Sequence, residues 1–185
     1  MKGQGNWFKR HPKITVIIIG WIVLMFLALL MVGNDVSKDS QNTNSGQPLT
    51  IKQQMDEDIR EILGTSNRNV EKIKEIIITE GENGYFIGIR YNADDNLNSK
   101  MIKGYIINED IKVLKTLYTK YENISGVGII AYFPLTDAYG NNEDEAVINL
   151  RIDRATADKI NWDGLLPENI PTIADKYYIH PALTQ

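Results

Sequence analysis

Residues 74–91, KEIIITEGENGYFIGIRY, decide how the chain folds. Lys74–Thr79 is dense in isoleucine and reads as a strand, because β-branched side chains pack well on a pleated surface. Gly81-Glu82-Asn83-Gly84 follows as a turn, Asn-Gly being a favoured hairpin pair. From Tyr85 the pattern alternates: Tyr85, Ile87, Ile89 and Tyr91 fall on one face, Phe86, Gly88 and Arg90 on the other. Two strands joined this tightly must run antiparallel.

Working outward, Thr50 and Gln53 fit a capping box that starts a helix, with Ile51, Met55, Ile59 and Ile62 at helical spacing and Gly64 as a left-handed stop. On the other side, Asn92–Ser99 breaks the strand pattern, and Asn98 or Ser99 caps a longer helix over 100–121. Ile107, Ile111, Leu114, Tyr118 and Tyr121 form its stripe, widened by Ile106, Val113 and Leu117. A second strand pair carries Val127, Ile129, Ala131 and Phe133, then Ala146, Ile148, Leu150 and Ile152, around the loop PLTDAYGNNEDE. From Arg154 the tail reads as short helices broken at Pro167, Pro171 and Pro181. The order is α-β-β-α-β-β with a helical tail. It predicts an α+β fold, a two-layer sandwich of helices on an antiparallel sheet over residues 49–185.

The N-terminal quarter is different in kind. Residues 14–32 hold no charge, and 13 of these 19 residues are Ile, Val, Leu or Phe. As a helix they span about 28 Å, close to the roughly 30 Å of a bilayer core. Their insertion is favoured by roughly 4–8 kcal/mol, with no charge to oppose it. A cleaved signal has a shorter apolar run and small residues before the cut, whereas LLMVGND is bulky. The reading is a retained single transmembrane helix. Lys2, Lys9, Arg10 and Lys13 precede it, so residues 1–13 form a cytoplasmic basic flank and the C-terminal domain lies outside the cytoplasm. Residues 33–48, rich in Ser, Asn and Gly, read as a flexible linker.

The chain has 20 basic and 24 acidic residues. Removing the four N-terminal cations leaves 16 basic residues, a net of about −8 beyond the flank. An acidic exterior argues against nucleic acid as a partner, since phosphate binding requires clustered Lys and Arg. Cysteine is absent, which excludes disulfides, thiol catalysis and thiolate metal sites.

Candidate chemistry is sparse. Asp137, Asn141, Asn142, Glu143, Asp144 and Glu145 gather oxygen ligands of the kind calcium takes, but without the alternating spacing around a central Gly; a solvated hairpin turn fits better. Asp94, Asn96 and Asn98 come nearer to the calcium pattern and then fail, with Ser99 in place of the Gly and Tyr105 in place of the Glu. His180 with Ser125 and Asp175 supplies triad residue types, but no Gly-x-Ser-x-Gly surrounds any serine. Gly126-Val127-Gly128 opens a strand and is no phosphate loop. Trp162, Leu165, Leu166, Tyr177 and Tyr178 close the core or, if exposed, form a partner patch. Asn123-Ile124-Ser125 matches a glycosylation acceptor. No catalytic, cofactor-binding or metal-ligating residue is assigned.

The expected function is a single-pass, membrane-anchored, extracytoplasmic module that binds a protein partner or takes part in assembling a complex. Its lipid contact is residues 14–32. The alternative is a small anchored hydrolase using acids of the 137–145 loop, which requires a concave site with a perturbed carboxylate.

Overall fold

The computed structural model describes residues 48–184. The predicted cytoplasmic flank, the transmembrane helix of residues 14–32 and all but the last residue of the linker lie outside the described residues. Among the described residues no helix is long and apolar enough to cross a membrane.

Helix α1, Ile51–Leu63, opens with the expected capping box: the Thr50 hydroxyl accepts from the Gln53 N–H, and the Gln53 side chain accepts from the Thr50 N–H. It ends at Gly64, whose φ of 82° suits a residue without a Cβ. Its buried stripe is Met55, Ile59 and Leu63, while Ile51 is exposed. A small hairpin follows, β1 (Ser66–Asn67) and β2 (Val70–Glu71), turning at Arg68 and Asn69, both at positive φ. The Asn67 side-chain amide holds it to the body by donating to the carbonyls of Asn92 and Ala93.

Strands β3 (Ile73–Gly81) and β4 (Gly84–Asn92) form the antiparallel hairpin read from residues 74–91, in register Ile76 to Ile89 and Ile78 to Ile87. Asn98 caps α2, Ser99–Lys120, by accepting from the Met101 N–H. Strands β5 (Ile124–Thr136) and β6 (Asn142–Asp153) form the second antiparallel hairpin. The tail carries α3 (Arg154–Ala157), a 3-10 turn at Pro167–Asn169, α4 (Ile170–Ile173), strand β7 (Lys176–Ile179) and a last 3-10 turn at Pro181–Leu183.

The fold is α+β, with one five-stranded sheet in the order β3-β4-β5-β6-β7. Two expectations need correction. The sheet is mixed, because β4 and β5 pair in parallel. The cause is α2: at 22 residues it is about 33 Å long, enough to carry the chain back along the whole of β4 and deliver β5 in the same direction. The tail is not wholly helical either. Lys176-Tyr-Tyr-Ile179 pairs antiparallel with β6, its aromatic and β-branched residues suiting a strand, and Pro181 marks where the pairing stops.

One face of the sheet holds the core. Ile87, Ile89 and Tyr91 of β4, Val127, Ile129 and Ala131 of β5, and Ile148, Leu150 and Ile152 of β6 are buried there against α1 and α2. Tyr118 on α2 spans to β6, donating its hydroxyl to the Ile152 carbonyl, and Trp162 from the tail stacks on its ring. Trp162, Leu165 and Tyr177 close the core as expected, whereas Leu166 and Tyr178 stay exposed.

Candidate functional site

The opposite face of the sheet has no helix over it among the described residues, and its surface follows from the strand register. One row crosses all five strands: Ile77, Gly88, Gly128, Arg151 and Lys176. The row beside it is Glu75, Arg90, Ile130, Asn149 and Tyr178, and on the other flank lie Thr79, Phe86, Gly126 and Asp153. Glycines in the two central strands leave a channel running across the strands, with backbone as its floor. The hollow measures about 350 Å³, and a neighbouring one of about 670 Å³ reaches to the β3–β4 turn. Phe86 and Arg151 line both.

These two residues form a stack. The Phe86 ring lies over the glycines: a methyl at Gly126 would stand 3.1 Å from it and 2.8 Å from an Asp153 carboxylate oxygen. The Arg151 guanidinium sits 5.1 Å from the Phe86 ring centroid and bonds Asp153 at 2.7 Å, which raises the guanidinium pKa. Arg90 pairs with Glu75 at 2.9 Å, and Lys74 with Asp144 at 3.0 Å, its ammonium over the Tyr132 ring. Cations and apolar groups thus share this face, although the chain beyond the basic flank carries a net negative charge. It offers apolar contact bordered by guanidinium and ammonium groups, and no assembled nucleophile and base.

The predicted site residues are dispersed. Asp137 is a turn former: its carboxylate accepts from the Asn141 side-chain amide and from the backbone N–H groups of Asn141 and Tyr139, which lowers its pKa. Asn142, Glu143, Asp144 and Glu145 are exposed at the start of β6. Asp137, Glu143 and Glu145 do border a hollow of about 300 Å³ with His180. His180, however, caps its own tail turn, its Nδ1 accepting from the Ala182 N–H. Ser125 donates to the Tyr85 carbonyl, and Asp175 accepts from the Asp153 N–H and the Thr156 hydroxyl, so no hydrogen bond joins the three triad residue types. Asn98 is the helix cap, while Asp94 turns inward to Lys72. Among the described residues no cluster of His, Asp or Glu is placed to hold a metal ion.

Sequence reasoning missed one constellation. Lys72 is buried, with its ammonium 2.9 Å from Asp94, 3.2 Å from both Glu109 oxygens and 5.4 Å from the Tyr91 ring centroid. Beneath it the Tyr91 hydroxyl donates to Asp110 at 2.9 Å, and Asp110 is fully buried on α2. Burial pushes the Asp110 carboxyl up to about 8, against the lowering effect of the Tyr91 bond, so it is protonated at neutral pH. Glu109 is also raised by burial, with Lys72 opposing. One Asp110 oxygen and the Tyr177 hydroxyl lack partners among the described residues. The available signal was Asp110 itself, an acid inside the apolar stripe Ile106, Ile107, Val113, Leu114. The network is a buried polar tie that joins α2 and β4 to Lys72, the residue between β2 and β3.

No protein-family model, curated protein or solved structure matches the chain.

Proposed function

We propose that the chain is a single-pass, membrane-anchored module whose N-terminus is cytoplasmic and whose folded domain lies outside the cytoplasm, and that it works by binding a protein partner within an assembly. The observation that carries the binding half is the sheet face over which no helix of the described residues lies, where Phe86 and Ile130 stand beside a glycine-floored channel edged by Arg90, Arg151 and Lys176. A partner presenting an apolar segment flanked by carboxylates matches that mixture of contacts. The location half rests on the uncharged run of residues 14–32 and the four cations before it. The acidic-loop hydrolase draws little support, since Asp137 is held ionised by its own turn.

The absence of cysteine makes a direct test available. Lys176→Cys in intact cells should be labelled by a membrane-impermeant maleimide; labelling only after permeabilisation overturns the location. A photo-crosslinking residue at Ile130 should capture one protein species in native membranes, with capture reduced by Phe86→Ala and absent from an identical probe at Glu57 on α1. Equal capture from both positions overturns the assignment of the face.

A further inference from the structure

We infer that the free edge of β3 is a self-association site, at which two copies of the chain pair β3 to β3, antiparallel, about a two-fold axis through Ile77. This does not depend on the membrane reading or on what covers the sheet face.

The two edges of the sheet are unlike. β7 offers four residues ending close to Pro181, whereas β3 offers nine and contains no proline. An edge strand presents a row of unpaired N–H and C=O groups, and proteins usually blunt it with charge, proline, a bulge or a cover. On β3 the bulge lies between Ile73 and Glu75, at one end. Beyond it, Ile76–Glu80 pairs only with β4, and among the described residues no other strand, turn or side chain bonds its outer edge. Ile77 is 47% exposed at the middle of this stretch, with Ile76 and Ile78 half-buried on the other face.

The sequence of the strand selects the partner. Laid antiparallel on itself about Ile77, it sets Ile77 opposite Ile77, Ile76 opposite Ile78, and Glu75 opposite Thr79. The Lys74 end of each copy then lies alongside the Glu80 end of the other. Their side chains do not meet, because the bulge turns Lys74 to the helix-free face, over Tyr132 and beside Asp144, whereas Glu80 reaches Lys52 of α1 on the helix-covered face. Side-chain alternation forbids a one-residue slip, and a two-residue slip sets Ile77 against Glu75 or Thr79. A second copy therefore sets isoleucine against isoleucine and Glu75 against Thr79 in a single register. Pairing yields a continuous sheet of ten strands, and the row from Ile77 to Lys176 runs on into its symmetry mate.

Single-cysteine cross-linking of the full chain reads this register. Residues directly opposite in an antiparallel pair have Cα atoms about 4.5–5.5 Å apart, within the span a disulfide bridges. Under mild oxidation Ile77→Cys should give a covalent dimer. Glu75→Cys and Thr79→Cys should each give little alone and a dimer when co-expressed. Tyr178→Cys, exposed near the other edge, should give at least about tenfold less than Ile77→Cys, since its thiols are not held at high effective concentration. Circular dichroism melting of each variant separates loss of pairing from loss of fold. The inference is overturned if Ile77→Cys links no better than Tyr178→Cys, if it links to a different protein, or if Glu75→Cys links to itself as well as to Thr79→Cys.

Discussion

The two faces of the sheet are made from the same strands and are built on opposite rules. On the helix-covered face, alternate residues of β4, β5 and β6 are large, apolar and buried. On the other, the same strands supply Gly88, Gly126 and Gly128, with Phe86 folded down on the latter two. The first face gains stability from hydrocarbon removed from water. The second gives up that contribution and keeps a shaped surface. A strand that alternates isoleucine with glycine and arginine is thus folding with one side and presenting a surface with the other.

The comparison breaks most sharply at Leu150. It is fully buried on the inner face, and Leu150→Ala should cost about 2–5 kcal/mol in denaturant unfolding. Next comes Asp110, the buried acid that α2 turns into the core. Its carboxyl keeps its proton up to about pH 8 in the fold and ionises near 3.8 when unfolded. The stability it contributes is therefore full below about pH 4 and is lost as pH rises toward 8. Asp110→Asn should flatten that slope and raise stability at pH 8 by about 1–4 kcal/mol, read by denaturation at both ends of the window. On the outer face Gly126→Ala should cost about 1–3 kcal/mol by pressing on the Asp153 carboxylate and the Phe86 ring, and should alter the ring's aromatic NMR shifts. Smallest of all, Ile130→Ala, in the row opposite Arg90 and Asn149, should change stability by less than about 1 kcal/mol. A cost equal to that of Leu150→Ala would mean the outer face is packed after all.

Much of the inner face was legible because one residue in two reports its own position. Tyr85 to Tyr91 alternates without interruption, and the Thr50–Gln53 box and Asn98 cap name their helix starts chemically. What failed was relative direction. Nothing in the alternation of β4 or β5 says which way they run against each other; that information lies in the length of α2 between them. β7 was hidden because proline on both sides of the tail suggested short helices, while its four residues are too few for periodicity to speak. The sheet-face site was half visible, since Phe86, Gly88 and Arg90 had been set on one side. The matching Gly126 and Gly128 fall beside them only through the parallel register. Lys72 and Glu109 meet through tertiary packing, 37 positions apart, beyond the reach of any local pattern.

The β4–α2–β5 crossover bears on how the domain reaches its native state. Each hairpin closes over a short loop and needs only its neighbours, so both can form early and independently. The central pairing of β4 with β5 must wait until the intervening helix has docked, because a parallel register has no turn to nucleate it. The seam opens where the Tyr85 N–H donates to the Asn123 carbonyl, and it is the pairing in this sheet whose partners stand farthest apart in sequence, so its register depends on how α2 docks and on no turn.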